Sequence, residues 1–277
     1  MTNENTSFTR RRILGASLTA ATAVGLTSPS RAEAKSGRAT FVLVHGAWHG
    51  GWCWRRVVDR LAARQHFVVA PTLSGVGERS HLAGDAINLT TQINDVVNEI
   101  KWKDLDRIVL VGHSYGGCVI TGVAEQLRER IASIVYLDAF IPLDGQSAAD
   151  LSDVPASAWP PHLVPPFPAS ALAVNVRDRA WVDGKTTPHP TGCFTEPLKV
   201  TGAYQAIARK TYIRTPLFKN AAFDDAMARC KQDQSWTTIV MNCGHDVVVD
   251  EPARLNIISH GVCKCSSAVC LALVSRR

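Results

Sequence analysis

The sequence predicts an α/β chain: a mostly parallel sheet covered by helices on both faces, interrupted by one long insertion. Three observations predict it. From residue 40 onward, short apolar runs rich in β-branched residues alternate with amphipathic stretches, the pattern of strands joined by crossover helices. Between one such run and the next helical stretch lies Gly112-His113-Ser114-Tyr115-Gly116-Gly117, a Gly-x-Ser-x-Gly turn in strand-to-helix context. After the last run comes the loop Asn242-Cys243-Gly244-His245-Asp246, with a histidine where a strand should end.

Element by element, Thr40 to Val44 reads as a buried parallel strand that ends in His45-Gly46. Trp54 to Arg64 has helical spacing, with Val57, Val58, Leu61 and Ala62 on one face. His66 to Ala70 is a second strand, closed by Pro71. Thr90 to Lys101 is an amphipathic helix with Ile93, Val96, Val97 and Ile100 inward. Asp106 to Gly112 is the third strand, Cys118 to Arg130 a helix, and Ile131 to Leu137 the fourth strand. Tyr204 to Lys210 reads as helical and Thr211 to Arg214 as a strand, followed by a helix over Ala221–Gln232 and a last strand over Trp236–Met241. Between Pro142 and about Thr201 the alternation stops. This stretch carries Pro155, Pro160, Pro161, Pro165, Pro166 and Pro168 with scattered aromatics, and its apolar content predicts a cap over the active site.

Composition bounds the function. The 277 residues, 46% apolar and 19% charged, suffice for one large core. Arg10, Arg11, Arg12 and Arg31 against Glu4 and Glu33 put two of the six net positive charges in the first 34 residues. Beyond residue 35 no Lys/Arg run follows, which speaks against nucleic-acid binding. Thr9-Arg10-Arg11-Arg12-Ile13-Leu14, the mildly apolar stretch to Leu26 and Ala32-Glu33-Ala34 read as a twin-arginine export signal over residues 1–34, with cleavage after Ala34 and a periplasmic or secreted product. The apolar stretch is short for a membrane span, so no stable insertion is expected. The eight cysteines, Cys53, Cys118, Cys193, Cys230, Cys243, Cys263, Cys265 and Cys270, have irregular spacing that defines no pairing. A chain exported folded should not depend on bridges. Cys263, Cys265, Cys270 and His260 match no recognised zinc spacing. Neither a metal nor a cofactor is expected, and the oligomeric state is left open.

The chemistry is carried by three loops at strand ends. Gly112 and Gly116 allow the backbone to double back, raising the Ser114 hydroxyl above the sheet and aiming the following helix at it. A serine hydroxyl needs a base within hydrogen-bond reach. His245 has the right chain order and context for that base, whereas His45 and His113 are placed to brace the turns and His162 and His189 fall in the cap. An acyl-transfer intermediate concentrates charge on one oxygen, which the backbone N–H groups of Ala47 and Tyr115 are positioned to receive.

Together, Val42-Leu-Val-His-Gly-Ala-Trp-His-Gly-Gly-Trp-Cys-Trp54, Gly112-His-Ser-Tyr-Gly-Gly117 and Gly244-His245 resemble the methylesterase and hydroxynitrile lyase family of α/β-hydrolases, over about Thr40 to Arg254. The resemblance implies the α/β-hydrolase fold, Ser114 as nucleophile, His245 as base and the Ala47 and Tyr115 amides as oxyanion donors. It implies a small ester as substrate and an acyl-enzyme mechanism. Two departures matter. The family's lyases carry lysine after the catalytic histidine, and this chain has Asp246, of the wrong sign for developing cyanide, so ester hydrolysis is preferred to C–C cleavage. The family's acid follows the strand Thr211–Arg214, but Thr215-Pro-Leu-Phe-Lys-Asn-Ala-Ala-Phe223 contains no carboxylate. Asp138, ending the fourth strand, is preferred as the acid, with Asp224 the alternative and Asp246 third. An incomplete triad would instead leave a hydrolase-like receptor for a small ligand. The final helix should begin at Glu251-Pro-Ala-Arg-Leu255, after which the pattern dissolves into a cysteine-rich tail suggestive of a divergent or frame-shifted terminus.

Overall fold

In the computed structural model, which describes residues 38–152, 154 and 158–256, the first apolar run forms strand β1 (Thr40–Val44). Its side chains divide by the strand's period of two. Phe41 and Leu43 enter one hydrophobic cluster, and Val42 and Val44 enter another on the opposite face of the sheet. That two-sided burial explains why the run is continuously apolar rather than alternating.

The elements follow as α1 (Arg55–Ala62), β2 (Phe67–Val69), α2 (Leu89–Trp102), β3 (Ile108–His113), α3 (Gly116–Leu127) and β4 (Ile131–Leu137). Then come the short β5 (Leu163–Val164), α4 (Arg179–Asp183), β6 (His189–Pro190) and α5 (Gly192–Thr195), and finally β7 (Lys210–Arg214), α6 (Ala221–Gln232), β8 (Trp236–Val240) and α7 (Val247–Asp250). The six-stranded sheet has the order β2-β1-β3-β4-β7-β8, with every neighbour parallel. All strand C-termini therefore lie on one edge, where open α/β sheets build their sites.

Helix ends account for most differences from the expected boundaries. The Asn88 side chain accepts from Thr91 N at 2.9 Å, so α2 starts at Leu89, and the Asn220 side chain caps α6 through Phe223 N at 3.1 Å. Three expectations are corrected. The second strand is shorter than His66–Ala70, because only Phe67–Val69 pairs with β1. The stretch Tyr204–Lys210 is not a helix. A single 3-10 turn covers Ala203–Ala206, and Lys210 already pairs with Ile134 and Trp236 as the first residue of β7. The helix expected from Glu251 is preceded by α7, whose Val247, Val248 and Val249 are fully buried, with a 3-10 turn at Arg254–Asn256 after it.

The described residues between 142 and 201 form the long insertion between β4 and β7. The two-stranded antiparallel β5–β6 pair and the helices α4 and α5 are its regular parts. The insertion meets the histidine loop, where Leu172 O accepts from His245 N at 3.0 Å. The export motif, Cys263, Cys265, Cys270 and His260 lie outside the described residues. The five described cysteines are buried and unpaired, and among the described residues no helix is long and apolar enough to cross a membrane.

Candidate active site

The Gly-x-Ser-x-Gly turn is held by close backbone approach. A Cβ on Gly112 would lie 2.6 Å from Gly116 O, and one on Gly116 would lie 2.7 Å from His45 O, so neither position accepts a side chain without moving a main chain. Ser114 takes φ +55°, a left-handed conformation that costs a non-glycine residue on the order of 1 kcal/mol or more. Ser114 N donates to Leu137 O and Phe140 N donates to Ser114 O, both at 3.2 Å. The turn is thus stitched to the end of β4, the strand that carries Asp138.

These contacts aim three side chains at one another. His245 Nε2 is 2.9 Å from Ser114 Oγ, and His245 Nδ1 is 2.7 Å from Asp138 Oδ2. Asp138 is fully buried and itself at φ +45°. Its other oxygen, Oδ1, accepts from Arg214 Nη1 at 2.6 Å and from Thr215 N at 2.8 Å. Burial pushes the Asp138 carboxyl up, but the His245 hydrogen bond and charge, the Arg214 guanidinium and the Thr215 amide outweigh it and hold the group below the ordinary carboxylate range. Asp224 does not reach the imidazole. It is exposed and accepts from Arg214 Nε at 2.8 Å. Asp246 turns into the interior instead and meets His49 Nε2 at 3.1 Å.

The loop after β7 holds no acid, and aromatic rings occupy that side of the imidazole. Phe218 stacks on His245 with centroids 4.5 Å apart, and Phe223 lies at 5.6 Å. On another side His113 lies 4.6 Å away and donates from Nε2 to His245 O at 2.9 Å. Burial lowers the His113 pKa to about 3, so that ring is neutral. His45 is likewise neutral, lowered by burial to about 4. It donates from Nδ1 to Gly46 O and accepts from Leu73 N. Among the described residues, neither the Ala47 nor the Tyr115 amide is spent on the hydrogen bonds of the surrounding turns.

Above Ser114 opens a cavity of about 400 Å³. Ala47 and Tyr115 line its floor with Ser114 and His245. Trp48, Phe140, Phe194, Phe218 and Phe223 form aromatic walls, and Trp159 and Pro165–Phe167, like Phe194, come from the insertion. Apart from His245, the described lining residues carry no ionisable side chain other than the Tyr115 phenol, which burial keeps protonated.

Fold and site together invite comparison with known proteins. The model of the alpha/beta hydrolase family matches residues 41–256. The chain is an α/β hydrolase. Over 233 residues this α/β hydrolase is 39% identical to the carbendazim hydrolyzing esterase of Nocardioides sp. (strain SG-4G), an alignment covering 78% of this chain and 96% of that protein. It is 33% identical to Methylesterase 1 of Arabidopsis thaliana over 126 residues, which span 43% of this chain and 48% of the methylesterase. Among solved structures it is similar to an extracellular alpha/beta-hydrolase from a Paenibacillus species, described as sharing structural and functional homology with tobacco salicylic acid binding protein 2. The TM-score is 0.70 at 26% identity, covering 82% of this chain and all of that one.

Two features of the α/β hydrolase's site escape a reading of the sequence. Arg214 looks like the polar end of a strand, yet its side chain is buried and bridges Asp138 and Asp224. A charged residue ending a strand, directly before Thr215-Pro216, was the available signal. The facing of His49 and Asp246, 197 positions apart, had none.

Proposed function

We propose that this α/β hydrolase is a serine esterase that cleaves small, neutral carboxylic esters through an acyl-enzyme. Ser114 Oγ attacks the ester carbonyl while His245 Nε2 takes its proton. The charge that develops on the carbonyl oxygen is received by the Ala47 and Tyr115 amides. Asp138 holds the imidazole in the tautomer that presents Nε2 to the serine and stabilises the imidazolium. His245 returns the proton to the departing alcohol, and a water repeats the sequence to release the acid. The observation that carries this reading is the continuous relay from Ser114 through His245 to Asp138, at 2.9 and 2.7 Å, beneath an apolar cavity. The carbendazim hydrolyzing esterase and Methylesterase 1, both named for ester cleavage, support it.

The substrate preference follows from the lining. A carboxylate or ammonium group entering a cavity walled by Trp48, Phe167, Phe194, Phe218 and Phe223 loses hydration without gaining an oppositely charged partner among the described lining residues, whereas an apolar or aromatic group gains by leaving water. In a panel of activated esters matched for size, neutral aliphatic and aromatic members are expected to be hydrolysed with kcat/KM at least about tenfold above their charged counterparts. A preference for charged esters would reject the cavity as the substrate site.

The export reading stands as a second part of this proposal. Arg10-Arg11 before an only moderately apolar stretch, then Ala32-Glu33-Ala34, supports passage of the folded protein across the membrane. Replacing both arginines by lysine is expected to leave the full-length form in the cytoplasm. Undiminished appearance of a chain beginning at Lys35 outside it would remove the twin-arginine reading.

A further inference from the structure

Four buried histidines surround the proposed oxyanion turn, and three of them are neutral rings. Of these, His45 and His189 engage both nitrogens, while His113 Nδ1 has no hydrogen-bond partner among the described residues. His45 donates from Nδ1 to Gly46 O and accepts at Nε2 from Leu73 N. His189 accepts at Nδ1 from Trp48 N and meets the Gln92 side-chain amide at Nε2. His113 donates from Nε2 to His245 O. His49 differs. Its Nδ1 lies 2.7 Å from Ala47 O, and its Nε2 lies 3.1 Å from Asp246 Oδ2.

A carbonyl oxygen only accepts. If Asp246 is ionised, both partners of the ring are acceptors, and either neutral tautomer would point a nitrogen lone pair at an oxygen. Only the imidazolium satisfies both contacts. The one alternative places the proton on Asp246. The charged pair is mutually supporting: burial raises Asp246, but the charge and hydrogen bond of His49, with His113 and His245 nearby, outweigh it and take the group down to about 2, while Asp246 Oδ1 has no hydrogen-bond partner among the described residues. Burial lowers His49, and Asp246 together with the Ala47 carbonyl raises it above the ordinary value. Trp52 stacks on the His49 ring at 5.2 Å and 23°, an arrangement that attracts a cationic ring. The other ionisable groups around the pair are His45, His113 and His189, all lowered by burial, with His245, Glu78, the protonated Cys53 thiol and Asp250, whose carboxyl is raised by burial and by Asp246.

We propose that His49 and Asp246 form a second histidine–carboxylate pair, a buried imidazolium and carboxylate that position the oxyanion turn against the catalytic histidine loop. His49 is hydrogen-bonded to the carbonyl of Ala47, whose amide the esterase reading assigns as an oxyanion donor. Asp246 is the neighbour of His245. The pair therefore fixes the distance between the group that receives charge and the group that moves the proton. In this chain the residue after the catalytic histidine serves the turn from behind and does not face the substrate cavity. Both are positioning residues, and the role of Ala47 rests on the proposed function.

The sign of the pH dependence follows. The raised His49 supports the turn below its folded pKa, and that support is lost as the pH rises through it. The lowered Asp246 contributes above the ordinary carboxylate range, and its support is lost only as the pH falls toward about 2.

The decisive measurement needs no turnover. In 15N-labelled protein at about pH 7, above the ordinary histidine value, both ring nitrogens of His49 are expected to carry protons, the signals being assigned by their loss in His49→Gln. A singly protonated ring at that pH overturns the proposal. In folded Asp246→Asn protein, kcat should fall about tenfold to a hundredfold, less than outright removal of an oxyanion donor. KM should stay within about twofold, and the alkaline edge of the kcat profile should move to lower pH, since His49 loses the partner that keeps it charged. An unchanged kcat with the parental edge would also overturn it. If Asp246→Asn does not fold, the wild-type ring signals decide alone. A protein that hydrolyses no ester but keeps a doubly protonated His49 would reject the esterase reading and leave the pair standing.

Discussion

Ser114→Ala protein is expected to fold like its parent and to lose ester turnover by about a thousandfold or more, the scale on which removal of a serine nucleophile acts. The fold should survive because the turn is held by main-chain contacts, Ser114 N to Leu137 O and Phe140 N to Ser114 O, which alanine retains. The Ser114 side chain contributes one hydrogen bond, to His245 Nε2. What remains after its loss is the oxyanion turn and the cavity, enough for weak residual catalysis. Turnover of an activated acetate ester, read beside near-ultraviolet circular dichroism and intact-mass detection of an acyl adduct on the parent, tests it. Near-parental activity in folded Ser114→Ala, with the adduct on another residue, would sink the mechanism.

The second large effect concerns the acid. Asp138→Asn is expected to lower kcat by roughly 10³- to 10⁴-fold, because an amide can donate to His245 Nδ1 and so favour the tautomer that turns an N–H toward the serine. Asp224→Asn should stay within a few-fold of the parent. Its carboxylate is exposed and touches the site only through Arg214, where an amide oxygen can still accept. The pair of variants separates the two acids without assuming either. The reverse ordering would move the acid to the start of α6 while leaving the serine–histidine pair in place. A stability consequence accompanies it. Since Asp138 is held below the ordinary carboxylate range, its contribution to folding is complete above that range and is lost as the pH falls through its folded value. Asp138→Asn should therefore lose less stability than the parent on acidification.

Arg214 explains how the acid can sit one strand away from the position familiar in this family. Strands β4 and β7 are neighbours, and Leu137 pairs with Ile213. A carboxylate one residue beyond Leu137 and a guanidinium one residue beyond Ile213 therefore emerge side by side at the same sheet edge. The arginine neutralises the buried acid from the β7 side, where the family's own carboxylate would otherwise stand. With no acid after β7, that side of the imidazole is free for Phe218 and Phe223, which stack against the ring.

What the sequence determined by itself is local in origin. Continuous apolar runs specify strands buried on both faces, as in Phe41–Val44. The spacing of Ile93, Val96, Val97 and Ile100 specifies the buried stripe of α2. The serine turn is legible because its glycines answer a steric demand between near neighbours, Gly112 against Gly116. The histidine is legible because it follows a strand in the right order. The aspartate was open between Asp138 and Asp224, since chain order does not say which strand end faces His245. Tertiary structure decided that, through the β4–β7 register that joins Asp138 to Arg214. It also decided the fate of Asp246, whose sign argues against binding an anion in the cavity but whose partner, His49, lies 197 residues away. It decided the start of β7 too. The polar edge of Tyr204–Lys210 reads as helical, yet Lys210 gains ladder bonds from two strands and buries its amine on the carbonyls of Gln205 and Ile207. The common reason is physical. Steric and periodic preferences act between residues close in the chain, whereas the partner of a buried charge is set by which strand ends the sheet brings together.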